Sequence, residues 1–112
     1  MYTNAGINKV MLAGKIYKEP RLHNHNQERW LYFSLVTKEV IYSAKGDTDH
    51  EEIHQIRVEE TNPALKRFEL KKDDLVFVQG KRHTKAFVDA ENIKRYKTEI
   101  VASNFEVLSA AS

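Results

Sequence analysis

Cysteine is absent from the 112 residues of this chain. That excludes disulfides, thiolate nucleophiles and thiolate-bound zinc, and it fits a reducing compartment. No apolar run approaches the ~20 residues that a membrane span requires, and the N-terminal stretch lacks the apolar core of a secretory signal. The expectation is a cytoplasmic protein without membrane contact. An excess of one charge is missing too. With 18 Lys and Arg against 16 Asp and Glu the formal net charge is +2, so affinity for a charged partner has to come from where the cations sit. Catalytic chemistry is equally scarce, for there is no paired nucleophile and base, no Gly-rich phosphate loop and no cluster of metal ligands. Asp73-Asp74 and Glu51-Glu52 are adjacent carboxylates that point apart on extended backbone, and they read as solubility and termination features. His23 and His25 share a side only if extended, and no third ligand stands at suitable spacing. These absences predict a protein that is not an enzyme and has no metal and no cofactor.

What is present is β-patterning. From about Asn8 to Ile16, Val10 and Leu12 alternate with small or polar residues, and Gly14 stands where a barrel strand bends. A polar loop with His23 to Gln27 follows Pro20. From Trp30 to Lys38 a second strand sends Leu31, Phe33 and Leu35 one way and Trp30, Tyr32, Ser34 and Val36 the other. The turn-rich segment Ser43 to His50 predicts a flexible connection into a third strand, Ile53 to Glu59, with His54, Ile56 and Val58 inward. Between Asn62 and Asp74 the period becomes helical, with Asn62 as cap and Pro63 in the first turn. A fourth strand starts at Leu75, a loop spans Asp89 to Lys94, and a fifth strand sets Tyr96, Thr98 and Ile100 against Lys97, Glu99 and Val101. Asn104 to Leu108 reads as a last short strand. Five strands with a helix between the third and fourth give an all-β OB-fold, a five-stranded Greek-key barrel. It would occupy residues 1–108 as one domain, with 109–112 as a short tail.

The most informative stretch continues the fourth strand. Lys81, Arg82, His83, Thr84, Lys85 and Ala86 lack an apolar face of their own, so this cationic ribbon, with Phe87 near its tip, must project from the domain. A projecting cationic ribbon suits a charged polymer better than a small substrate.

In order and spacing, Asn8-Lys9-Val10 with Gly14 and Pro20, Glu52-Ile53-His54, Lys71-Lys72 and Arg95-Tyr96-Lys97-Thr98-Glu99-Ile100 resemble the bacterial single-stranded DNA-binding protein family over about Ile7 to Leu108. The resemblance implies a short, tail-less member that coats single-stranded DNA in replication, recombination or repair, and a nucleoid-associated location. It also implies a homotetramer, or at least a dimer, joined through the strand carrying Val10, Met11 and Leu12. Replication or repair proteins are the further partners it implies. The same similarity assigns phosphate contacts to Lys9, Lys72 and Lys85 and base stacking to Phe87. Physical reasoning adds Lys81 and Arg82, because a sequence-tolerant binder needs cations along the backbone path and flat π-faces worth ~1–3 kcal/mol per stacked base.

The chain departs from the family pattern at Ile41, Ile53 and Glu59, where stacking aromatics usually stand. Glu51, Glu52, Glu59 and Glu60 cluster nearby and repel phosphate. Two readings follow: a DNA path moved toward Tyr32, Tyr42, Phe87 and Tyr96, or a diverged replisome accessory, similar to primosomal replication protein N, that binds DNA weakly and works mainly through proteins. Large aromatics such as Trp30 and Tyr32 suit a core or a subunit interface as well as stacking.

Overall fold

Alternating apolar residues set the strands. The computed structural model describes residues 6–111, without the side chain of His25. It orders them as β1 (Val10–Ile16), β2 (Arg21–His25), β3 (Glu28–Ile41), β4 (Thr48–Glu59), α1 (Ala64–Arg67), β5 (Leu75–Val88) and β6 (Lys94–Ser109). Hydrogen bonding runs β1-β5-β6-β4-β3-β2, and β1 also meets β3 at Lys15↔Val36 and Ile16↔Leu35. That last pairing closes β1, β5, β6, β4 and β3 into the five-stranded barrel expected of an OB-fold, with β2 laid on β3 as an extra strand.

The inward residues are those of the sequence pattern. Ile16, Phe33, Leu35, Ile56, Val58, Val76, Val78, Ile100 and Phe105 are buried together, and α1 adds Ala64. A one-residue slip of β3 or β4 would turn Phe33, Leu35, Ile56 and Val58 outward, so burial fixes the register. The closing seam needs Gly14, because a Cβ there would lie 2.2 Å from the Val36 carbonyl oxygen.

Several expectations are corrected. The polar stretch around His23 is not a loop but β2, paired with β3 from Arg21↔Tyr32 to His25↔Glu28. Asn26 and Gln27 make the two-residue turn at φ 51° and 67°, and an exposed added strand needs no apolar face. The third strand begins at Thr48 rather than Ile53, because it stays paired with β3 as far as Ile41↔Thr48, beyond the core. The helix is a single turn, since Phe68 adopts φ −129°, ψ 129° and ends it. Asn62 does accept from the Ala64 amide at 2.9 Å. Asn104 to Leu108 is not a separate strand. It continues β6 past a bulge between the pairs Gln79↔Asn104 and Gly80↔Ala102, which the sequence pattern registers as a break. Asp74 is no surface solubilising group, being buried and accepting from the amides of Lys71 at 3.0 Å and Ala111 at 2.8 Å.

Candidate nucleic-acid interface

Two hairpin arms leave the barrel at the same end. β4 and β6 pair in parallel only at Ile56↔Ile100 and Arg57↔Val101, so the segments preceding these residues part from each other as extensions of β3–β4 and β5–β6. The β5–β6 arm pairs without interruption from Lys81↔Val101 to Val88↔Lys94. Asp89 closes its tip, its Oδ1 accepting from the amides of Glu91 and Ile93 at 2.9 and 3.0 Å while Oδ2 accepts from Arg95 Nε at 2.8 Å. The Arg95 guanidinium, aided by the Ile93 and Glu91 amides, holds this carboxyl below its ordinary value of 3.8.

Cross-strand partners share a face, so the register sorts the arm's side chains. Lys81 with Val101, His83 with Glu99, Lys85 with Lys97, and Phe87 with Arg95 point to one side. Because Ile100 lies in the core, that side faces away from the barrel interior. Arg82, Ala86 and Tyr96 take the opposite side. The outward row does not stop at the arm. Val101 stands beside Arg57, Arg57 opposite Tyr32, and Glu59 opposite Trp30. One continuous face thus carries three aromatic residues (Trp30, Tyr32, Phe87) with the cations Lys81, Lys85, Arg95 and Lys97.

The arm is rooted in that face by a buried ion pair. Arg57 Nε lies 2.8 Å from Glu99 Oε1 with both side chains about nine-tenths buried, and the guanidinium sits 4.4 Å from the Trp30 ring centroid. The contact is one of charge with charge: the Nε–H is not aimed at the oxygen within hydrogen-bond geometry, so Nε stays buried without a hydrogen bond. Glu99 is thereby neutralised within the sheet and adds little repulsion to an approaching phosphate.

The candidate residues therefore divide. Lys9 is drawn to the arm's root, because Asn8 Nδ2 donates to the Arg82 carbonyl at 2.7 Å and Asn8 Oδ1 accepts from the Arg82 amide at 3.1 Å, and a groove joins Lys9 to Lys81. Lys81, Lys85, Phe87 and Tyr32 share the outward face. Arg82 and Tyr96 occupy the arm's other side. Tyr42 stands past the end of β3, 77% exposed, on the arm that carries Glu39, Asp47, Asp49, Glu51 and Glu52. Lys72 precedes Leu75 at the far end of β5, roughly 30 Å of strand away from Lys85. Sequence reasoning did not single out Arg57, and it quoted Arg95 and Lys97 in a motif without assigning them a contact. The alternation of β6 opposite β5 is the signal that would have found the last two.

His54 lies partly buried. Its Nε2 is 3.0 Å from Thr37 Oγ1 and 3.9 Å from Glu52 Oε2, and Glu52 Oε1 is 3.2 Å from His50 Nε2. Among the described residues no group of three or more His, Cys, Asp or Glu side chains could hold a metal ion. Among the described residues no helix is long and apolar enough to cross a membrane.

Comparison with known proteins agrees with this architecture. Residues 7–108 match the model of the Single-strand binding protein family. The mitochondrial single-stranded DNA-binding protein of Danio rerio is 30% identical over 114 residues, covering 92% of this chain and 77% of that protein. Single-stranded DNA-binding protein 1 of Lactococcus lactis is 27% identical over 105 residues, covering 93% of this chain and 69% of its own length. Among solved structures, the Plasmodium falciparum SSB in complex with ssDNA superposes with a TM-score of 0.79 at 26% identity, covering 98% of this chain and 100% of that one. The small single-stranded DNA-binding protein of Streptomyces coelicolor shares the fold, with a TM-score of 0.66 at 18% identity over 88% of this chain and 92% of that one. A family match over nearly the whole chain, on the barrel topology described above, means that this chain belongs to the Single-strand binding protein family.

Proposed function

We propose that the chain binds single-stranded DNA with little sequence preference and protects it during replication, recombination or repair, without catalysing a reaction. The observation that carries this reading is the continuous outward face, on which Phe87 with Lys81, Lys85, Arg95 and Lys97 on the arm leads to Tyr32 and Trp30 on β3. Aromatic faces accept any base and cations follow any backbone, whereas a reader of sequence needs side chains aimed at base edges. Lys9 extends the cationic path at the arm's root. Arg82, Tyr96 and Tyr42 flank it, and Lys72 joins only where the strand wraps to the far end of the barrel. The reading of a mainly protein-binding accessory is not favoured, given the family match and the relatives' names.

Self-association supports wrapping. From Val10 to Gly14, β1 is paired on its β5 side only, among the described residues, and Met11 is 59% exposed. An open, partly apolar strand edge invites pairing with a second copy. We infer a dimer or tetramer built on it, working in the cytoplasm at the nucleoid.

The test is fluorescence anisotropy with labelled dT and duplex of equal length across a salt series. Single strand is expected to bind far more tightly, with a log–log salt slope of ~0.7 per engaged cation. Equal affinity for duplex and single strand would overturn the proposal. Light scattering at micromolar concentration that reports a monomer would remove the oligomer from it.

A further inference from the structure

The outward face continues past Tyr32 onto β2, where none of the candidate residues lies. Arg21 stands opposite Tyr32, and His23 opposite Trp30. We propose that this corner, formed by Lys18, Arg21, His23 and Tyr32, is a second subsite for the same single strand, taking one base and its phosphate beyond the arm. The inference rests on the single-strand reading above.

Four observations carry it. A groove of about 240 Å³ runs between Lys18, Arg21, His23, Tyr32, Ser34 and Gln55. That lies below the ~300–1,000 Å³ of sites for drug-sized ligands and suits a single nucleotide unit. The His23 and Tyr32 rings meet edge to face, 5.5 Å apart at 73°, which covers one ring face of the pair and leaves others open to a base. Ser34 Oγ donates to Gln55 Oε1 at 3.1 Å, fixing the carbonyl end of that amide and leaving its NH₂ to donate to a phosphate or a base. Lys18 and Arg21 are exposed cations flanking the groove, with Glu19 as the single carboxylate among its lining residues.

Packing alone does not account for this set. Lys18, Arg21 and His23 are all exposed, and β2 contributes none of its described side chains to the buried core. What the corner shares with the arm is alternation of ring and cation on one face. From Lys81 on β5 to Arg21 on β2 the face spans four strand spacings of ~4.8 Å, roughly 19 Å, and Phe87 stands six residues, roughly 20 Å, further out along the arm, so an oligomer held at Phe87 reaches the corner only when it is long enough to cover both legs.

The chain supplies its own reporter, because Trp30 is its one tryptophan and stands directly opposite His23. The experiment titrates dT oligomers of roughly 6 and roughly 20 nucleotides, bracketing the site sizes of single OB-folds, and follows label anisotropy and Trp30 emission together. With the unaltered protein, the long oligomer is expected to bind at least about tenfold tighter and to change Trp30 emission. In Lys18→Glu/Arg21→Glu, the length-dependent gain should vanish and the emission change, part of which Trp30 owes to its place on the outward face, should shrink, while the short oligomer binds as before. The salt slope for the long oligomer should fall by about 1.4, two cations at ~0.7 each. His23→Ala, which leaves the charge pattern intact, should reduce the emission change and lose part of the gain, and it decides the matter should the double variant fail to fold. An emission change and length gain that survive undiminished in both variants would overturn the subsite. So would tight binding of the unaltered protein without any change in Trp30 emission, and in either case the single-strand reading stands. No binding of either oligomer by the unaltered protein overturns both.

Discussion

The two arms are alike in construction and opposite in character. Each is an antiparallel extension of a barrel hairpin, and each carries exposed apolar rings, Tyr42 on β3–β4 and Phe87 with Tyr96 on β5–β6. Yet residues 81–98 hold Lys81, Arg82, Lys85, Lys94, Arg95 and Lys97 against Asp89 and Glu91, whereas residues 38–52 hold Lys38 and Lys45 against Glu39, Asp47, Asp49, Glu51 and Glu52. The roots differ as well. A buried Arg57–Glu99 pair ties the basic arm to β4, while the acidic arm's Lys38–Glu51 pair, at 3.3 Å, has side chains 75% and 54% exposed. Backbone pairing thus builds an arm of either charge, and side-chain chemistry decides what it can meet. A polyanion approaching this end of the barrel is attracted by one arm and repelled by the other, which confines its path to the outward face of the first.

The largest expected effect tests the roots. Glu99→Ala leaves the Arg57 guanidinium buried without its counter-charge and should destabilise the fold by about 3–5 kcal/mol. Glu51→Ala breaks an exposed pair and should cost only ~0.2–1 kcal/mol. Denaturant unfolding of the two variants checks this, and equal losses would show that the arms are rooted alike.

Next comes stacking. Phe87→Ala is expected to weaken single-strand binding by about 1–3 kcal/mol with little change in melting temperature, because one stacked base is lost from an exposed ring. Tyr42→Ala, amid carboxylates, should change affinity far less. A melting temperature that falls while affinity holds would place Phe87 in the packing rather than in the interface.

Charge follows. Alanine at Lys81, Arg82 and Lys85 together should lower the salt slope by about 2, at ~0.7 for each cation released. If Arg82, which points to the arm's other side, touches no phosphate, the drop will be nearer 1.4. Replacing Asp49 and Glu51 by Asn and Gln should instead raise affinity modestly and lose its effect in high salt.

The barrel was legible because its core strands bury one face and so alternate: Phe33 and Leu35, Ile56 and Val58, and Val76 and Val78 declare themselves. What escaped the pattern is what burial does not control. β2 is exposed and polar and resembles a loop. The acidic arm's turn-forming composition hides a paired strand, and the bulge at Ser103 splits β6 for a reader of periodicity. The basic arm was legible from Lys81 to Phe87 as charge, but which of its residues share a face depends on the register with β6. Without that register, Arg82 and Lys85 look equivalent, and Arg95 and Lys97 stand in a motif with no face assigned to them. Arg57 and Glu99 are a pair only because β4 and β6, far apart in sequence, lie side by side.

The smallest expected effect concerns the tip of the basic arm. Asp89 receives three hydrogen bonds, one of them from Arg95, and these favour its ionised form, so its carboxyl titrates below the ordinary 3.8. A depressed carboxyl stabilises the folded tip wherever the unfolded group would also be ionised. That contribution is therefore complete above the ordinary value and is lost as the pH falls through the lowered one. Because Asp89 bonds only within the arm's tip, away from the barrel core, the loss should be confined to the tip and should leave global unfolding nearly unaltered. The measurement is the amide-exchange protection factor of Glu91 and Ile93. In the unaltered chain it should hold steady from neutrality to about pH 4 and decline below. Asp89→Asn, which keeps an acceptor for the two amides but gives up the charge that Arg95 meets, should show lower protection at neutral pH and no decline on acidification. The acidic arm has no equivalent device in its turn, where Ser43 Oγ donates to the Gly46 carbonyl at 2.7 Å and carries no charge to titrate. Its turn amides should keep constant protection over the same range, and a parallel decline there would mean that acid loosens both arms through the barrel rather than through Asp89.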